Sequence, residues 1–505
     1  MSRNALLLLL LAVIALEPGC ITLAPKHNRP KAPVPAEWPS GAAYSKAPED
    51  VNVPEVQHLK WREFITDEKL QKVIELALEN NRDLRIAALN VERARAQYGL
   101  QRSELLPVIM AAGSKTRQKQ TSVTGYISTE PGKPAMPVVE RTITERDMVS
   151  IGITSWEIDF FGRIRSLKKA ALQQYLASEQ AQHAAQILLI SGVANAYHAL
   201  AADRENLNLA ETTLETQQGI YKLVNRRFEC GVDAELAVFQ AQTQVDAARG
   251  DVARFTRAVA QDMNTLNLLA GTPVPEELLP VDLGCVSPPR DISPGTSSEV
   301  LLNRPDVIRS ENLLKAANAN IGAARAAFFP RILITSSAGT VSAELSGLFD
   351  PGTGVWSFSP QIVLPIFDTR IWYAARVSKV DKKLAIAQYE KAIQNSFKEA
   401  ADALAVRGTV DQQVSAQESL VHAVSETYRL SNTRYTRGVD SYLNVLDAQR
   451  SLYAAQQGLV SLRLAKRINE VNLYAVLGGG WDETQPRKQG QTDIGVPKAE
   501  EPNAH

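Results

Sequence analysis

The chain reads as mainly α-helical with a transmembrane β-barrel, a tube of mixed α/β-barrel character built from two internal repeats. Three observations predict this. Tyr221–Gln242 recurs as Tyr428–Gln449, 207 residues later, with 11 of the 22 positions identical, and such self-similarity marks a duplicated structural unit. Each copy holds a long helix, a pair of strand-like segments and a very long helix pair. The strand-like segments, of about 9–13 residues, suit a tilted bilayer crossing. Four strands cannot close a barrel alone, because hydrocarbon tolerates no open sheet edge and closed barrels need at least about eight strands. Several copies must therefore share one barrel; three would supply twelve strands, wide enough to leave a bore. The competing reading of the same elements is a soluble helical protein with two small hairpins.

The elements follow in order. Arg3, an apolar run from Ala5 to Leu16 and then Glu-Pro-Gly-Cys20 have the three-part form of a secretory signal over residues 1–19, and the run is too short to cross a bilayer. Gly19 directly before Cys20 predicts lipidation of Cys20, although Glu17 stands where the usual motif has Leu; cleavage nearby with loss of Cys20 is the alternative. Residues 20–66 are rich in proline and lack an apolar period, which predicts a lipid-anchored extended strap. The first structural repeat covers 67–270. It opens with a helix from about Asp67 to Glu104, with Leu70, Val73, Ile74, Ala77 and Leu78 on one face. A hairpin over 108–160 follows, its strands set at Val108 to Thr116 and Met148 to Phe160 around a polar loop. In the second strand Val149, Ile151 and Ile153 alternate with small or polar residues.

From Arg163 to about Arg227 the pattern is helical without a proline, enough to span about 100 Å. Beyond the Gly231-Val-Asp turn, apolar residues at 245, 248, 252, 255, 259, 263, 266 and 269 keep the three-and-four spacing of a coiled-coil seam. A Pro/Gly linker at 271–296 leads into the second repeat, 297–478. Here a helix starts at Pro305, a residue suited to the first helical position, and runs to Phe329-Pro330. A hairpin over 331–367 follows, with strands at Ile332 to Gly339 and Val355 to Phe367. Long helices over about 370–434 and 441–477 flank the Gly438-Val-Asp440 turn. Residues 479–505 have the polar, Pro/Gly/Gln-rich make-up of a disordered tail. The two copies differ in length between their first helices and their turns, which the longer polar loop of copy one accounts for.

Charge and chemistry narrow the function. With 55 basic and 55 acidic residues, no overall field draws nucleic acid or an anionic surface. Cys230 and Cys285 flank a helix about 50 Å long, beyond disulfide reach, so both are expected unpaired. Gly125 to Gly132-Lys133-Pro134 fails the phosphate-loop spacing, and the six histidines are scattered without a metal-ligand pattern. These absences predict no catalysis, no cofactor and no metal site. The Gly-Val-Asp turns each close a longest helix, with Gly231 and Gly438 free to take the left-handed backbone that ends it; turn formation and capping alone explain Asp233 and Asp440 equally well. Trp156, Phe160, Phe161, Trp356, Phe358, Phe367, Trp372 and Tyr373 gather at strand ends, where a membrane girdle or junction packing would place them.

Jointly specific motifs give the chain a family resemblance. They are Cys20-Ile-Thr-Leu-Ala-Pro-Lys-His-Asn-Arg-Pro30, Trp156-Glu-Ile-Asp-Phe-Phe-Gly-Arg163, Asn303-Arg-Pro-Asp306, Ala319-Asn-Ile-Gly-Ala323 with Phe329-Pro330, Arg434-Tyr-Thr-Arg-Gly-Val-Asp-Ser-Tyr-Leu443 and Leu446-Asp-Ala-Gln449. Over roughly residues 20–480 the chain resembles the TolC-like outer-membrane efflux proteins, particularly the NodT-type lipoproteins. The resemblance implies a homotrimer with a twelve-stranded barrel in the outer membrane of a Gram-negative bacterium. It implies a periplasmic α-barrel below, with 271–296 in an equatorial belt. Such a protein is a passive exit duct for small molecules, energised by an inner-membrane transporter through a periplasmic adaptor. The adaptor would meet the helical tips, Gly231, Val232, Asp233, Gly438, Val439 and Asp440.

The second repeat would supply the inner helix pair that constricts the periplasmic entrance. Leu443 and Asp447, four residues apart and so on one helix face, match the apolar and acidic rings of that constriction. Asn444 stands where some members carry a further acid. Copy one has Leu236, Ala237, Phe239 and Gln240 where copy two has Leu443, Asn444, Leu446 and Asp447. Three Asp447 carboxylates in one ring would hold a cation or water. The other readings are a structural or adhesive helical envelope lipoprotein and an outer-membrane duct for type I protein secretion.

Overall fold

In the computed structural model of the chain, residues 22–44, 56, 59–127, 136–295 and 297–480 are described, and they fall into two compact units that each draw on both repeats. The signal segment, Cys20 and the tail beyond residue 480 lie outside the described residues.

The first unit takes in the chain up to residue 35, 85–182 and 302–397. Its centre is one antiparallel sheet in the order β1 (Ile109–Ile127), β2 (Met136–Ile158), β3 (Arg331–Ser342) and β4 (Gly354–Val363). Pairing of β2 with β3 joins the two hairpins. No other strand among the described residues pairs with β1 or β4, and both are exposed along their length.

The first hairpin corrects the sequence reading. Much of what reads as a polar loop is strand, and β1 and β2 have 19 and 23 residues against 12 and 10 in β3 and β4. The extra length of copy one is therefore carried by its strands. These segments are solvent-facing on both sides, so they show no apolar alternation. They are held by β-branched residues and by charges placed opposite one another, Arg117 with Glu145 at 3.0 Å and Lys115 with Asp147 at 3.5 Å. The fourth strand ends at Val363 rather than near Phe367, because Pro365 has no N–H to continue a ladder.

The junction of strand and helix explains the Trp156–Arg163 motif. Glu157, at the end of β2, accepts from Arg163 at 2.9 and 3.0 Å and from Arg331 of β3 at 2.6 Å. Asp159 accepts the backbone N–H of Arg165 at 2.8 Å. It thereby caps helix α4 (Arg163–Glu229) in place of Gly162, which has no side chain. Phe161 stacks on Phe329 with ring centres 4.7 Å apart, and Phe328 meets Trp372 edge-on at 5.2 Å, so these aromatics serve packing. Trp356 and Phe358 point outward from β4.

The strap lies in this unit up to Pro35, seated on helix α6 (Pro305–Ala326). Asn318 donates to the Pro25 carbonyl at 2.7 Å, Arg325 to that of Leu23 at 3.1 Å, and Arg29 pairs with Glu311 at 3.0 Å. A side chain at Gly322 would strike Ala24 at 2.9 Å.

The second unit takes in 36–84, 183–301 and the chain from 398 onward. It includes a short helical turn α1 (Trp61–Phe64), so the strap is not extended throughout, and helix α2 (Glu68–Asn80). Asp67 caps α2 by accepting from Leu70 N at 2.9 Å. The helix expected to run on to Glu104 breaks at Asn81, and α3 (Arg82–Ser103) starts afresh. Asn81 is extended (ψ 131°); its amide donates to the Leu269 carbonyl at 2.9 Å while its oxygen caps Leu84 N at 2.9 Å.

The long helices are as expected. Helix α4 pairs with α5 (Glu235–Ala270), and α7 (Thr369–Thr436) with α8 (Tyr442–Val476). Every predicted seam position of α5 is buried or half-buried. Helices α7 and α8 are cross-tied by Lys466 with Asp411 at 2.6 Å, Arg463 with Glu418 at 3.0 Å and Asn469 to the Ala403 carbonyl at 3.1 Å. Cys230 and Cys285 are free and exposed.

Candidate functional site at the helical turns

Both Gly-Val-Asp turns close their helix in the same way. Gly231 (φ 73°) donates to the Phe228 carbonyl and Val232 to that of Arg227, each at 2.8 Å. Gly438 (φ 74°) donates to Tyr435 at 2.9 Å and Val439 to Arg434 at 3.0 Å. A left-handed residue with this pair of bonds is a Schellman closure, and glycine enters it without a Cβ clash. The Asp two residues on returns to the helix it has just left. Arg227 donates to Asp233 at 2.8 and 3.2 Å, and Arg434 pairs likewise with Asp440.

One contact breaks this symmetry. Tyr435 donates its hydroxyl to Asp233 at 2.8 Å, and the Arg227 guanidinium lies 4.9 Å from the centre of the Tyr435 ring. The repeat equivalent of Tyr435 is Phe228, which has no hydroxyl, so the reciprocal bond cannot form. The Asp233 carboxyl is held below the ordinary range, first by the Arg227 hydrogen bond and further by Tyr435. Burial and then Asp233 push the Tyr435 hydroxyl up. Asp440 is lowered by its hydrogen bond from Arg434.

Behind these groups lies an apolar cluster of Val224, Ala241, Tyr435, Tyr442, Val445 and Leu446, with Tyr221 and Tyr428 packed against it. Burial raises the Tyr442 hydroxyl to about 12. Tyr442, Val445, Leu446, Ala448 and Gln449 face inward on α8, which leaves Leu443, Asn444 and Asp447 on the outward face. Leu443 is 57 % exposed, and Asp447 has no hydrogen bond or ion pair among the described residues. On α5 the outward residues are Leu236 and Phe239, at 68 % and 63 % exposure. Leu446, the counterpart of Phe239, is buried, so the two copies turn different faces outward. Arg450 donates to Gln244 at 3.1 Å.

The structure thus brings the six turn residues onto two matching closures and sets Leu443, Asn444 and Asp447 on one free face. Among the described residues no three His, Cys, Asp or Glu side chains gather as metal ligands. The Tyr435–Asp233 bond was missed from the sequence. Its signal is the Phe228/Tyr435 difference at one repeat position.

Comparison with known proteins places this geometry. The sequence profile of the family described as "Outer membrane efflux protein" matches residues 73–272 and 296–479. The toluene efflux pump outer membrane protein TtgC of Pseudomonas putida is 44 % identical, over 97 % of this chain and 99 % of its own length. A crystal structure of a membrane protein from Pseudomonas aeruginosa superposes with a TM-score of 0.82 at 37 % identity, covering 92 % of this chain and 99 % of the other. The open state of the Neisseria gonorrhoeae MtrE outer membrane channel gives 0.79 at 36 % identity, covering 91 % and 98 %. With the matched segments spanning most of its length, the chain belongs to the outer membrane efflux protein family and is an outer-membrane efflux channel.

Proposed function

We propose that three copies of this chain form the exit duct of a tripartite efflux pump, with a periplasmic adaptor on the helical tips and an inner-membrane transporter supplying the energy. The observation that carries the assembly is the four-stranded sheet with β1 and β4 open at its edges. In hydrocarbon an unpaired edge costs several kcal/mol per polar group, and pairing β4 of one copy with β1 of the next removes every edge. The tips that meet the adaptor are Gly231, Val232, Asp233 and Gly438, Val439, Asp440. Leu443, Asn444 and Asp447 form the periplasmic gate, supported by their shared outward face. The relation to a toluene pump component favours small apolar cargo over secreted protein.

The assembly has a direct test. Protein extracted from membranes in mild detergent has the mass of a trimer by light scattering once bound detergent is subtracted. A monomer mass would remove the shared barrel.

The N-terminal segments extend this reading: residues 1–19 are the signal and Cys20 carries lipid. Because the barrel holds the protein in the bilayer, the acyl chain is a second anchor. Cys20→Ser is therefore expected to lower the membrane-bound fraction without abolishing insertion. Mass spectrometry that finds an unmodified N-terminus at another residue refutes the lipid anchor.

A further inference from the structure

The register of the sheet sorts its side chains into two faces, and one of them carries charge where its apolar surface ends. One face is small and polar, with Ser150 beside Gly339 and Ser337 bonded to Ser357 at 2.8 Å. The other holds Ile109, Ile151, Trp356, Phe358 and Ile362, all exposed, as the lipid side of a barrel wall requires. On this face Trp356 shares a row with Ala338, Ile151 and Ala111. Val149 and Gly113 stand in the next row, and Asp147 and Lys115 in the row after that. Eleven residues of β2 separate Ile158, in the row of Ile362, from Asp147. At about 3.3 Å per residue and a tilt of about 40° they rise about 28 Å, close to the height of an outer-membrane apolar band.

Beyond that edge the same face carries Lys115, Arg117 and Lys119 on β1 against Asp147, Glu145 and Arg141 on β2. The first two rungs are neutral within themselves, Lys115 with Asp147 at 3.5 Å and Arg117 with Glu145 at 3.0 Å. Lys119 faces Ile143 and Arg141 faces Thr121, which makes the two cations diagonal neighbours with Cβ atoms about 7 Å apart. Glu145, the other diagonal neighbour of Lys119, is held by Arg117, and Glu140 lies on the opposite face of the sheet. Both cations are exposed, and neither has an ion pair among the described residues. Two like charges side by side destabilise a ladder; a phosphate between them reverses the sign of that effect.

We propose that Lys119 and Arg141 form a phosphate-binding site for the anionic glycolipid of the outer leaflet. The site rests on the barrel reading, which turns the helix-bearing ends of the strands to the periplasm and the hairpin tips outward. Lipid is the occupant because the site continues the lipid-facing wall. Acyl chains lie against Ile151, Trp356 and Phe358, and the phosphorylated sugars above them reach the two cations. Arginine and lysine both give phosphate oxygens charge-assisted hydrogen bonds, and their long stems let the charges reach down to headgroup level. Strand β3 ends at Ser342, in the row of Asp147, so only the longer β1 and β2 extend this far.

Titration of the purified assembly tests the site. Protein in mild detergent, washed free of glycolipid and checked for trimer mass, is titrated with bisphosphorylated lipid A, with the same lipid dephosphorylated, and with inorganic phosphate. The wild type should bind the phosphorylated lipid roughly tenfold more tightly than the dephosphorylated one, and the preference should shrink as salt rises. The Lys119→Gln/Arg141→Gln double variant should lose the preference while remaining a trimer, and Lys119→Arg should keep it. Equal affinity of the wild type for the two lipids, or an unchanged preference in the double variant, overturns the proposal. So does inorganic phosphate binding as tightly as the lipid, which would mark a site for a free anion. A monomeric wild type would overturn the barrel reading and this site with it, whereas an intact trimer indifferent to the phosphate overturns the site alone.

Discussion

Gly339→Val is expected to remove the channel from the outer membrane. A Cβ at 339 would lie 2.1 Å from the Val149 carbonyl oxygen and 2.6 Å from the Ser150 Cα, and one at Gly152 would lie 2.2 Å from the Ser336 oxygen. Both positions are on the β2–β3 ladder, where Gly339 faces Ser150 and Gly152 faces Ser337. Among the described residues, that ladder is the backbone pairing that joins the two hairpins. The offending atoms are backbone, so relief requires the strands to separate, and separation exposes unpaired amides to lipid at several kcal/mol each. The yield of inserted trimer should fall by roughly tenfold or more. Gly113→Val on β1 is the control, because its Cβ would meet nothing nearer than Val149 Cγ2 at 3.9 Å. Outer-membrane fractions run on gels with and without heating give the readout. Normal insertion of Gly339→Val would mean that the hairpins are not joined through this pair.

The helices were the legible part of the sequence because their packing is periodic. The α5 seam announces itself at steps of three and four, and each of those residues is removed at least partly from water. The break at Asn81 carries no such signal. A polar residue in a helical run is ordinary, and what turns Asn81 into a cap is a carbonyl 188 residues away. The first hairpin misled for the opposite reason: a strand wet on both faces has no apolar alternation to read. Its ion pairs show only once the register sets Arg117 against Glu145. At the turns, Gly231 and Gly438 were readable from backbone need alone. The Tyr435–Asp233 bond was not, since it joins two copies of the repeat whose mutual placement is a tertiary fact. The free face of Leu443 and Asp447 follows from a spacing of four, whereas its partner would be another copy of the chain.

That free face leads to the largest change expected in transport. If Leu443 and Asp447 close the periplasmic entrance, the wild-type trimer alone should conduct poorly in planar bilayers. Around the three-fold axis, three Leu443 side chains would exclude water from the bore, and three Asp447 carboxylates would repel one another unless a cation or water sits between them. Leu443→Ala removes the apolar obstruction, and Asp447→Ala removes the charge ring together with any cation or water it holds. The double variant should therefore raise single-channel conductance several-fold, and Asp447→Ala alone should weaken block by divalent cations. Copy one supplies the comparison. Its outward residues are Leu236 and Phe239, and the uncharged Gln240 stands where copy two has Asp447, so changes at Leu236 and Gln240 should alter conductance far less. The turns should survive all of these changes, because Arg227–Asp233 and Arg434–Asp440 close them independently of Leu443 and Asp447. A rise in conductance would then report the gate rather than a collapsed helix end. Equal conductance of the wild type and the Leu443/Asp447 double variant at matched insertion would leave the tube intact and place its constriction elsewhere.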